Sequence, residues 1–112
     1  MSSYHPITKQ VVLPLLTQSI TLKKANGSTY TVKGYIQFET ARHTFVGDVG
    51  IIEVERITGY FLPYYNIGSV EVKVERGDII EFDNESYVVA QTFRHYYEGK
   101  VIYVEALLEG MG

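Results

Sequence analysis

The sequence has 112 residues, the size of one domain with a buried core. Ten tyrosines and five phenylalanines with no tryptophan favour strands, and the absence of cysteine excludes disulfides, thiolate zinc sites and a cysteine nucleophile. A formal net charge of −3 argues against general attraction to nucleic acid or to anionic membranes, and no apolar run approaches the ~20 residues of a membrane-spanning helix. We therefore expect a soluble, unprocessed intracellular protein.

Residues 1–17 are predicted to form an N-terminal arm. The segment is apolar but is interrupted by Pro6 and Pro14. Val11–Leu13 and Leu15–Leu16 fit a short helix or strand, and Pro14 divides them because it lacks a backbone donor. Two interpretations stay open: the arm packs on the surface of its own domain, or it lies on a neighbouring subunit.

A β-hairpin is predicted between residues 18 and 38. Residues 18–24 alternate as one strand, and residues 29–38 form its partner. Between them, Asn26-Gly27 predicts a type I′ turn, which needs positive φ at both central residues. Gly34 breaks the row of side chains on the second strand, which indicates a bulge or a close crossing of strands.

The middle of the chain combines a polar segment with an aromatic one. Residues 39–48 are predicted to be a polar connection, and residues 50–57 alternate as a strand. An aromatic cluster follows around Pro63 and consists of Tyr60, Phe61, Leu62, Tyr64 and Tyr65. Its side chains either cap the end of the domain itself or form an exposed patch that docks on a partner. Base stacking on single-stranded nucleic acid is disfavoured by the acidic balance and the lack of interleaved arginine.

The C-terminal part is predicted to be a β-meander. Residues 70–74 lead into strand-like runs at 79–82, 87–93 and 101–107, which are joined by polar turns at 83–86 and 94–100. Before the first run, Gly77 permits positive φ and the Asp78 carboxylate is placed to accept a local backbone N–H. Alternation predicts that Ile80 and Phe82 face a core.

On the next strand, alternation places Tyr87, Val89 and Gln91 on one face. Together these elements predict an all-β fold: a small antiparallel β-barrel or sandwich of about six to seven strands with extended loops, because closing a sheet removes its exposed edges. Residues 18–112 are expected to form this single domain.

The search for catalytic chemistry is mostly negative. The sequence has no phosphate loop, dinucleotide fingerprint, paired-histidine metal motif or nucleophile elbow. The histidines, His5, His43 and His95, are scattered along the chain. The acidic residues Asp78, Glu81, Asp83 and Glu85 lack the ligand spacing and central glycine of a calcium loop. We expect no enzyme activity, no cofactor and no bound metal.

A family resemblance rests on the meander. The pattern Gly77-Asp78-x-Ile80-x-Phe82, then Tyr87-x-Val89, a charged turn and a last alternating run resembles the C-terminal half of the lambda-type phage head–tail joining proteins. Residues 32–35 resemble an early strand of that family, and residues 50–68 resemble its long middle hairpin. The resemblance covers about two thirds of the chain, from Thr31 onward. The proline-interrupted N-terminus departs from the family, in which this region can be helical.

The resemblance implies a head-completion, or neck, protein of the virion that is assembled in the host cytoplasm. Such proteins form a hexameric or dodecameric ring of identical subunits between the portal or its adaptor and the tail terminator or tail tube, and some close the DNA channel as stoppers. Packaged DNA passes through without sequence-specific binding, and no membrane is involved. The candidate channel loop comprises Arg42, His43, Thr44 and Asp48, and the candidate contacts between rings are Tyr60, Phe61, Leu62, Tyr64 and Tyr65.

Other functions stay open. A tail-side or baseplate β-barrel adaptor would share the same strand pattern. A barrel that binds a small ligand or an oligonucleotide would use the aromatic cluster as its platform. A metal enzyme built on the acidic residues is the weakest alternative. Whether the terminal residues 109–112 are ordered stays open, and they are small and flexible enough to form an arm that the next ring captures.

Overall fold

The structure, a computed structural model, describes residues 4–44 and 51–111, with the backbone alone at 40–44 and 51–55. A helical segment comes first and consists of a π-helical stretch, Thr8–Val12, and an α-helical turn, α1 (Leu13–Leu15). The strands are β1 (Gln18–Lys23), β2 (Thr29–Thr44), β3 (Ile51–Phe61), β4 (Tyr65–Ile67), β5 (Val70–Val72), β6 (Ile79–Phe82), β7 (Glu85–Tyr97) and β8 (Lys100–Gly110).

The predicted all-β barrel is confirmed. Six antiparallel strands close in the order β1-β2-β3-β8-β7-β6, and β4 pairs with β5 in a separate two-stranded sheet. Closure depends on the short pairing of β1 with β6, in which Leu22 lies opposite Ile80. Because the sheet closes, the central part of each barrel strand has hydrogen-bonded neighbours on both sides.

The β2–β3 hairpin extends beyond the barrel. The two strands pair from Gly34 opposite Phe61 to Thr44 opposite Ile51, whereas β8 pairs with β3 only over Ile57–Phe61. Residues 39–44 and 51–56 therefore form a two-stranded extension, which we call the distal β2–β3 hairpin. The prediction of a polar connection over residues 39–48 is wrong for 39–44. Residues 39–44 contain no regular alternation of polar and apolar side chains, so this strand looks like a loop in the sequence.

A second extension points the other way. β7 and β8 pair as far as Tyr97 opposite Lys100, beyond the level at which β8 joins β3. The predicted polar turn over residues 94–100 is thus mostly strand, closed by the two-residue turn Glu98-Gly99, whose φ values are +51° and +77°. Because β3 and β8 are antiparallel, the two hairpins leave opposite ends of the barrel, and the molecule is 58 Å long.

The barrel interior is filled by apolar side chains. Those with less than 2% exposure include Phe61, Ile20, Leu22, Ile80 and Val89. Gly34 and Gly59 lie against the Phe61 ring, and an added Cβ would lie 2.9 Å from Cδ1 at Gly34 and 2.7 Å from Cε2 at Gly59. The predicted close approach at Gly34 is therefore confirmed, because only a residue without a side chain leaves room for the ring.

A bulge on β7 changes which residues face the core. The register of β7 against β8 shifts between Val89 and Gln91. Tyr87 and Val89 are buried but Gln91 is exposed, so the prediction that all three share one face is wrong for Gln91. The extra residue in the bulge reverses the alternation for the rest of the strand.

The position of the turn between β1 and β2 was predicted correctly, but its type was not. The hairpin at Asn26-Gly27 is confirmed, but only Gly27 has positive φ (+91°), and its N–H bonds to Lys24 O while Asn26 Oδ1 accepts the Ser28 N–H. The type I′ prediction is therefore wrong at this site. Positive φ at two adjacent residues occurs instead at Asp83-Asn84, between β6 and β7, and at Glu98-Gly99, between β7 and β8.

The C-terminal residues are part of the barrel. Glu109 and Gly110 pair with β7, and the Met111 N–H donates to Ser86 O over 3.0 Å. Residues 109–111, whose order the sequence left open, are therefore part of the strand structure, and Gly112 lies outside the described residues. Strand hydrogen bonds hold this end of the chain in place.

Candidate functional site

The residues of the family-like motif, Gly77, Asp78, Ile80, Phe82, Tyr87 and Val89, lie where β6 begins and where it pairs with β7. Gly77 has φ +91° and donates its N–H to Val89 O, while Val89 returns its own N–H to Asp78 O. Ile80, Tyr87 and Val89 are buried and Phe82 is half-buried. The motif therefore joins the entry of β6 to β7 and acts as scaffold.

The Asp78 carboxylate accepts hydrogen bonds from the local backbone, as predicted, and from a distant lysine side chain. Its Oδ2 accepts the Glu75 N–H at 2.8 Å, as expected, and also accepts a hydrogen bond from Lys24 Nζ at 2.6 Å. Lys24 Nζ also donates to Lys73 O at 2.7 Å and to Glu75 Oε1 at 3.0 Å. Burial alone would lower the pKa of Lys24, but the hydrogen bonds to Asp78 and Glu75 raise it overall. We call this group the lysine clasp.

The aromatic cluster is mostly part of the core. Phe61, Leu62 and Tyr65 have 0%, 4% and 7% exposure, and only Tyr60 and Tyr64 are half-buried. The interpretation that these side chains pack within their own domain therefore holds for the first three, which are not on the surface of the free chain. Tyr65 ties the segments together, since its hydroxyl donates to Lys33 O and accepts the Leu62 N–H.

Replacing Tyr65 with phenylalanine is expected to reduce sensitivity to alkaline pH. Burial raises the pKa of the Tyr65 hydroxyl well above its ordinary value of 10.0. The folded state thus holds this proton more tightly than the unfolded state, so its stabilising contribution is complete below pH 10 and is lost as pH rises above that value. Urea unfolding from pH 8 to pH 11 should show a smaller decrease in unfolding free energy for Tyr65→Phe.

At neutral pH the same variant should be less stable by about 1–3 kcal/mol, because Lys33 O and the Leu62 N–H lose their partner. Tyr30→Phe is a matched control, since Tyr30 is only partly buried. Equal pH slopes for the wild type and Tyr65→Phe would contradict the prediction.

The candidate channel residues lie at the far end of the distal β2–β3 hairpin. The backbone of Arg42, His43 and Thr44 pairs with β3, opposite Glu53, Ile52 and Ile51. These residues are therefore on a strand rather than in a loop, while Asp48 lies outside the described residues. The hairpin places them away from the barrel, and their role in a channel stays a prediction.

The N-terminal arm packs on its own domain in this structure. Tyr4 stacks on Tyr64 with ring centroids 4.6 Å apart and donates its hydroxyl to Tyr64 O. His5 lies 3.1 Å from Glu98, and the fully buried Thr8 donates to Ile102 O over 2.7 Å. The arm is helical throughout residues 6–15, so the prediction that Pro14 divides it is wrong. Pro14 lies within the first two positions of α1, directly after the π-helical stretch.

Replacing Thr8 with valine should loosen the arm. Valine preserves the shape but leaves Ile102 O without its donor, a loss of about 1 kcal/mol, which corresponds to about a fivefold increase in the open population. Limited trypsin digestion should therefore cleave after the exposed Lys9 about fivefold faster than in the wild type. Thr8→Ser, which retains the hydroxyl, should restore slow cleavage, and equal rates for Thr8→Val and wild type would refute the role of this bond.

A cleft separates the arm from the barrel. It has a volume of about 580 Å³ and is lined by uncharged, mostly apolar side chains, among them Ile7, Val11, Leu15, Tyr35, Tyr60 and Tyr103. We call it the arm cleft. Val11 and Leu15 on its rim are 54% and 65% exposed, values high for aliphatic side chains on a free surface. The cleft could not be predicted from the sequence, because residues that line it, such as Ile7 and Tyr103, are far apart along the chain.

The histidine and acidic side chains that the structure describes are the residues that could form a metal site. Within the described residues, no group of three or more histidine, cysteine, aspartate or glutamate side chains is arranged to hold an ion. His5 and His95 instead pair with Glu98 and Glu105. His43 lies in the part for which only the backbone is described.

The helical segment found among residues 4–44 is too short to cross a membrane, and no other described helix is long and apolar enough to do so.

Comparisons with known proteins do not assign the chain to a family. No family model matches it, and a search of curated proteins found no match.

Proposed function

We propose that this chain is a structural neck protein of a tailed phage. It would complete the head as a ring of identical subunits between the portal or its adaptor and the tail terminator or tail tube, without enzyme activity. The observation that carries the proposal is the pair of hairpins that extend from opposite ends of one small closed barrel. A subunit located between two larger assemblies needs a contact surface at each end, and these extensions provide both.

The packing of the barrel interior disfavours a small ligand bound inside the barrel or on the buried rings of the aromatic cluster. Ile20, Leu22 and Ile80 fill the interior with 0% exposure. Phe61 and Tyr65, which would belong to an aromatic platform, are buried as well. A barrel that binds a ligand or a base would instead keep a cavity or present these rings to solvent.

The distal β2–β3 hairpin is the proposed channel element. It leaves the barrel as a two-stranded ribbon that carries Arg42, His43 and Thr44 away from the core. With a net charge of −3, the chain as a whole would let DNA slide past without sequence-specific contact. Tyr60 and Tyr64 remain the candidates for contacts between rings.

Binding to tailless heads tests the proposal. Mass photometry and quantitative mass spectrometry would be applied to the full chain, alone and mixed with tailless heads of the phage whose genome encodes it. We expect a monomer at the low concentrations of mass photometry, a fixed number of copies per head, and restored tail joining. Binding to tail tubes alone would indicate the tail-side adaptor, and binding to neither would overturn the proposal.

A variant with a shortened distal β2–β3 hairpin tests the channel role separately from binding to heads. Residues 40–55 would be replaced by Asn-Gly, a two-residue turn suited to joining the paired residues Glu39 and Arg56. The pairing of β3 with β8 begins at Ile57 and is untouched, so the variant should fold and bind heads with wild-type stoichiometry. If the hairpin closes the channel, heads carrying this variant should release DNA faster than heads carrying the wild type. Equal release would place closure in another protein.

A further inference from the structure

His5 caps the helix of the N-terminal arm. The helix begins at Pro6, and the His5 carbonyl accepts the Lys9 N–H at 3.2 Å, so His5 is the residue just before the first turn. Its Nδ1 atom accepts the Ile7 N–H at 3.1 Å. Pro6 has no N–H, so this bond supplies a partner for the first free donor of the helix. The imidazole therefore takes the place that a serine or aspartate oxygen usually takes at a helix start.

The same ring fastens the arm to the β7–β8 hairpin. His5 Nε2 lies 3.1 Å from Glu98 Oε1, and the ring lies nearly perpendicular to that of Tyr97, with centroids 5.5 Å apart. An amide N–H can only donate, so the Nδ1 that faces Ile7 must be unprotonated. Nε2 then carries the proton that is donated to Glu98. Both contacts are therefore made together only by the neutral imidazole.

Protonation of His5 would remove one contact and strengthen the other. A proton on Nδ1 would face the Ile7 N–H, so that bond would be lost, and the positive charge would lie at the positive end of the helix. The Glu98 carboxylate would attract the charged ring. Its side chain is 68% exposed, however, and ion pairs at such positions contribute little. The loss of the cap therefore outweighs the gain in the ion pair.

The other groups around the ring do not reverse this balance. Glu98 is the one carboxylate within 4.0 Å of His5 among the described residues. Tyr97 is the uncharged ring that His5 meets on β7. Lys9 on the arm and Lys100, which pairs with Tyr97 across the hairpin, are both cations. They add positive charge to the neighbourhood and so do not favour a second cation there.

We propose that His5 is a pH-sensitive latch: the neutral ring holds the N-terminal arm on the β7–β8 hairpin, and acidification releases the arm. Histidine changes its charge between about pH 8 and pH 5, so docking should be strongest at the upper end and weaken as the pH falls. Release would uncover the barrel side of the arm cleft, which includes Tyr35, Tyr60 and Tyr103. The latch operates whether or not the chain is a neck protein.

Two spin labels measure the position of the arm, because the chain has no native cysteine. Gln10→Cys places one label on the exposed side of the arm, and Ala25→Cys places the other in the exposed β1–β2 turn. Electron–electron distance measurements should give one narrow distance at pH 8. At pH 5 a broad distribution should appear, with the open fraction about tenfold larger. Circular dichroism would verify that the barrel stays folded. An unchanged distribution, or a narrower one at pH 5, would overturn the proposal.

Three variants of the labelled chain identify the group responsible. His5→Asn keeps a capping oxygen that does not titrate, so its arm should stay docked at both pH values. His95→Gln, which removes the ring that pairs with Glu105, should respond as the wild type does. Glu98→Gln removes the charge that opposes release and should open more than the wild type at pH 5. A smaller response in Glu98→Gln, or a wild-type response in His5→Asn, would contradict the latch.

Nuclear magnetic resonance observes the ring of the unlabelled wild type without any substitution. Long-range ¹H–¹⁵N spectra distinguish the two neutral tautomers of histidine, and at pH 8 those of His5 should show a protonated Nε2 and an unprotonated Nδ1. The amide resonance of Ile7 should move in step with protonation of the ring. The opposite tautomer, or an Ile7 amide that does not respond, would overturn the proposal even if every variant behaved as expected.

Discussion

Phe61→Ala is expected to destabilise the protein by about 3–5 kcal/mol, a large part of the total for a domain of this size. The Phe61 ring is completely buried between the two glycines of β2 and β3, and smaller side chains around it cannot move in to fill the space. Urea unfolding followed by circular dichroism would measure the loss. Phe38→Ala, at a residue 59% exposed, is the control and should cost about 1 kcal/mol or less.

A double-mutant cycle locates the reason for this sensitivity. Gly59→Ala alone should be destabilising, because the added Cβ would clash with the Phe61 ring. Every other neighbouring atom would lie at least 3.4 Å from that Cβ. In a Phe61→Leu background most of that cost should disappear, since the clashing ring atoms are gone. Gly34→Ala should not be rescued in the same way, because its Cβ would still lie 2.9 Å from Tyr60 O and from Ile20 Cδ1. Equal rescue of both glycine variants would contradict this explanation.

Removing the Asp78 carboxylate should be the second large effect. Asp78→Ala leaves the Lys24 ammonium, only 16% exposed, with its best partner gone and the Glu75 N–H without an acceptor. Breaking such a buried pair is expected to cost about 3 kcal/mol. Thermal and urea unfolding at pH 7 would measure it.

Two variants test whether the cost comes from the lysine clasp. Glu75→Ala removes a carboxylate that is 61% exposed and should cost less than about 1 kcal/mol, although it contacts the same Lys24 Nζ. Adding Lys24→Met to Asp78→Ala should recover part of the stability, because no unpaired charge remains in the site. A double variant as unstable as Asp78→Ala alone would show that the lost local cap, and not the stranded ammonium, dominates.

The sequence predicted the barrel well because its strands alternate inside one closed sheet. Ile80, Val89 and Leu22 all face the core as the period of two requires. The prediction from polar–apolar alternation was wrong in three segments. Residues 39–44 show no such alternation although they form a strand, most side chains of residues 94–97 are exposed, and the bulge after Val89 shifts the period by one.

The candidate surfaces were harder to predict, since they depend on contacts between distant parts of the chain. The lysine clasp joins Lys24 to Asp78, and the arm cleft forms only when the N-terminal arm lies against β8. For the aromatic cluster, composition left core packing and an exposed patch equally open. The burial of Phe61 and Tyr65 shows that these two rings pack in the core. Two of the exposed rings, Tyr96 and Tyr97, lie in a segment that was predicted to be a turn.

The opposed hairpins also make the reach of this protein adjustable. Adding one residue to each strand at the end of a hairpin lengthens the ribbon by about 3.4 Å, and adding two to each preserves the facing of every side chain beyond the insertion. Neither change alters the register of β1, β6 or the buried part of the barrel. Related proteins could therefore span gaps of different depth on either side by changing strand length at one tip, while the same core keeps the chain folded.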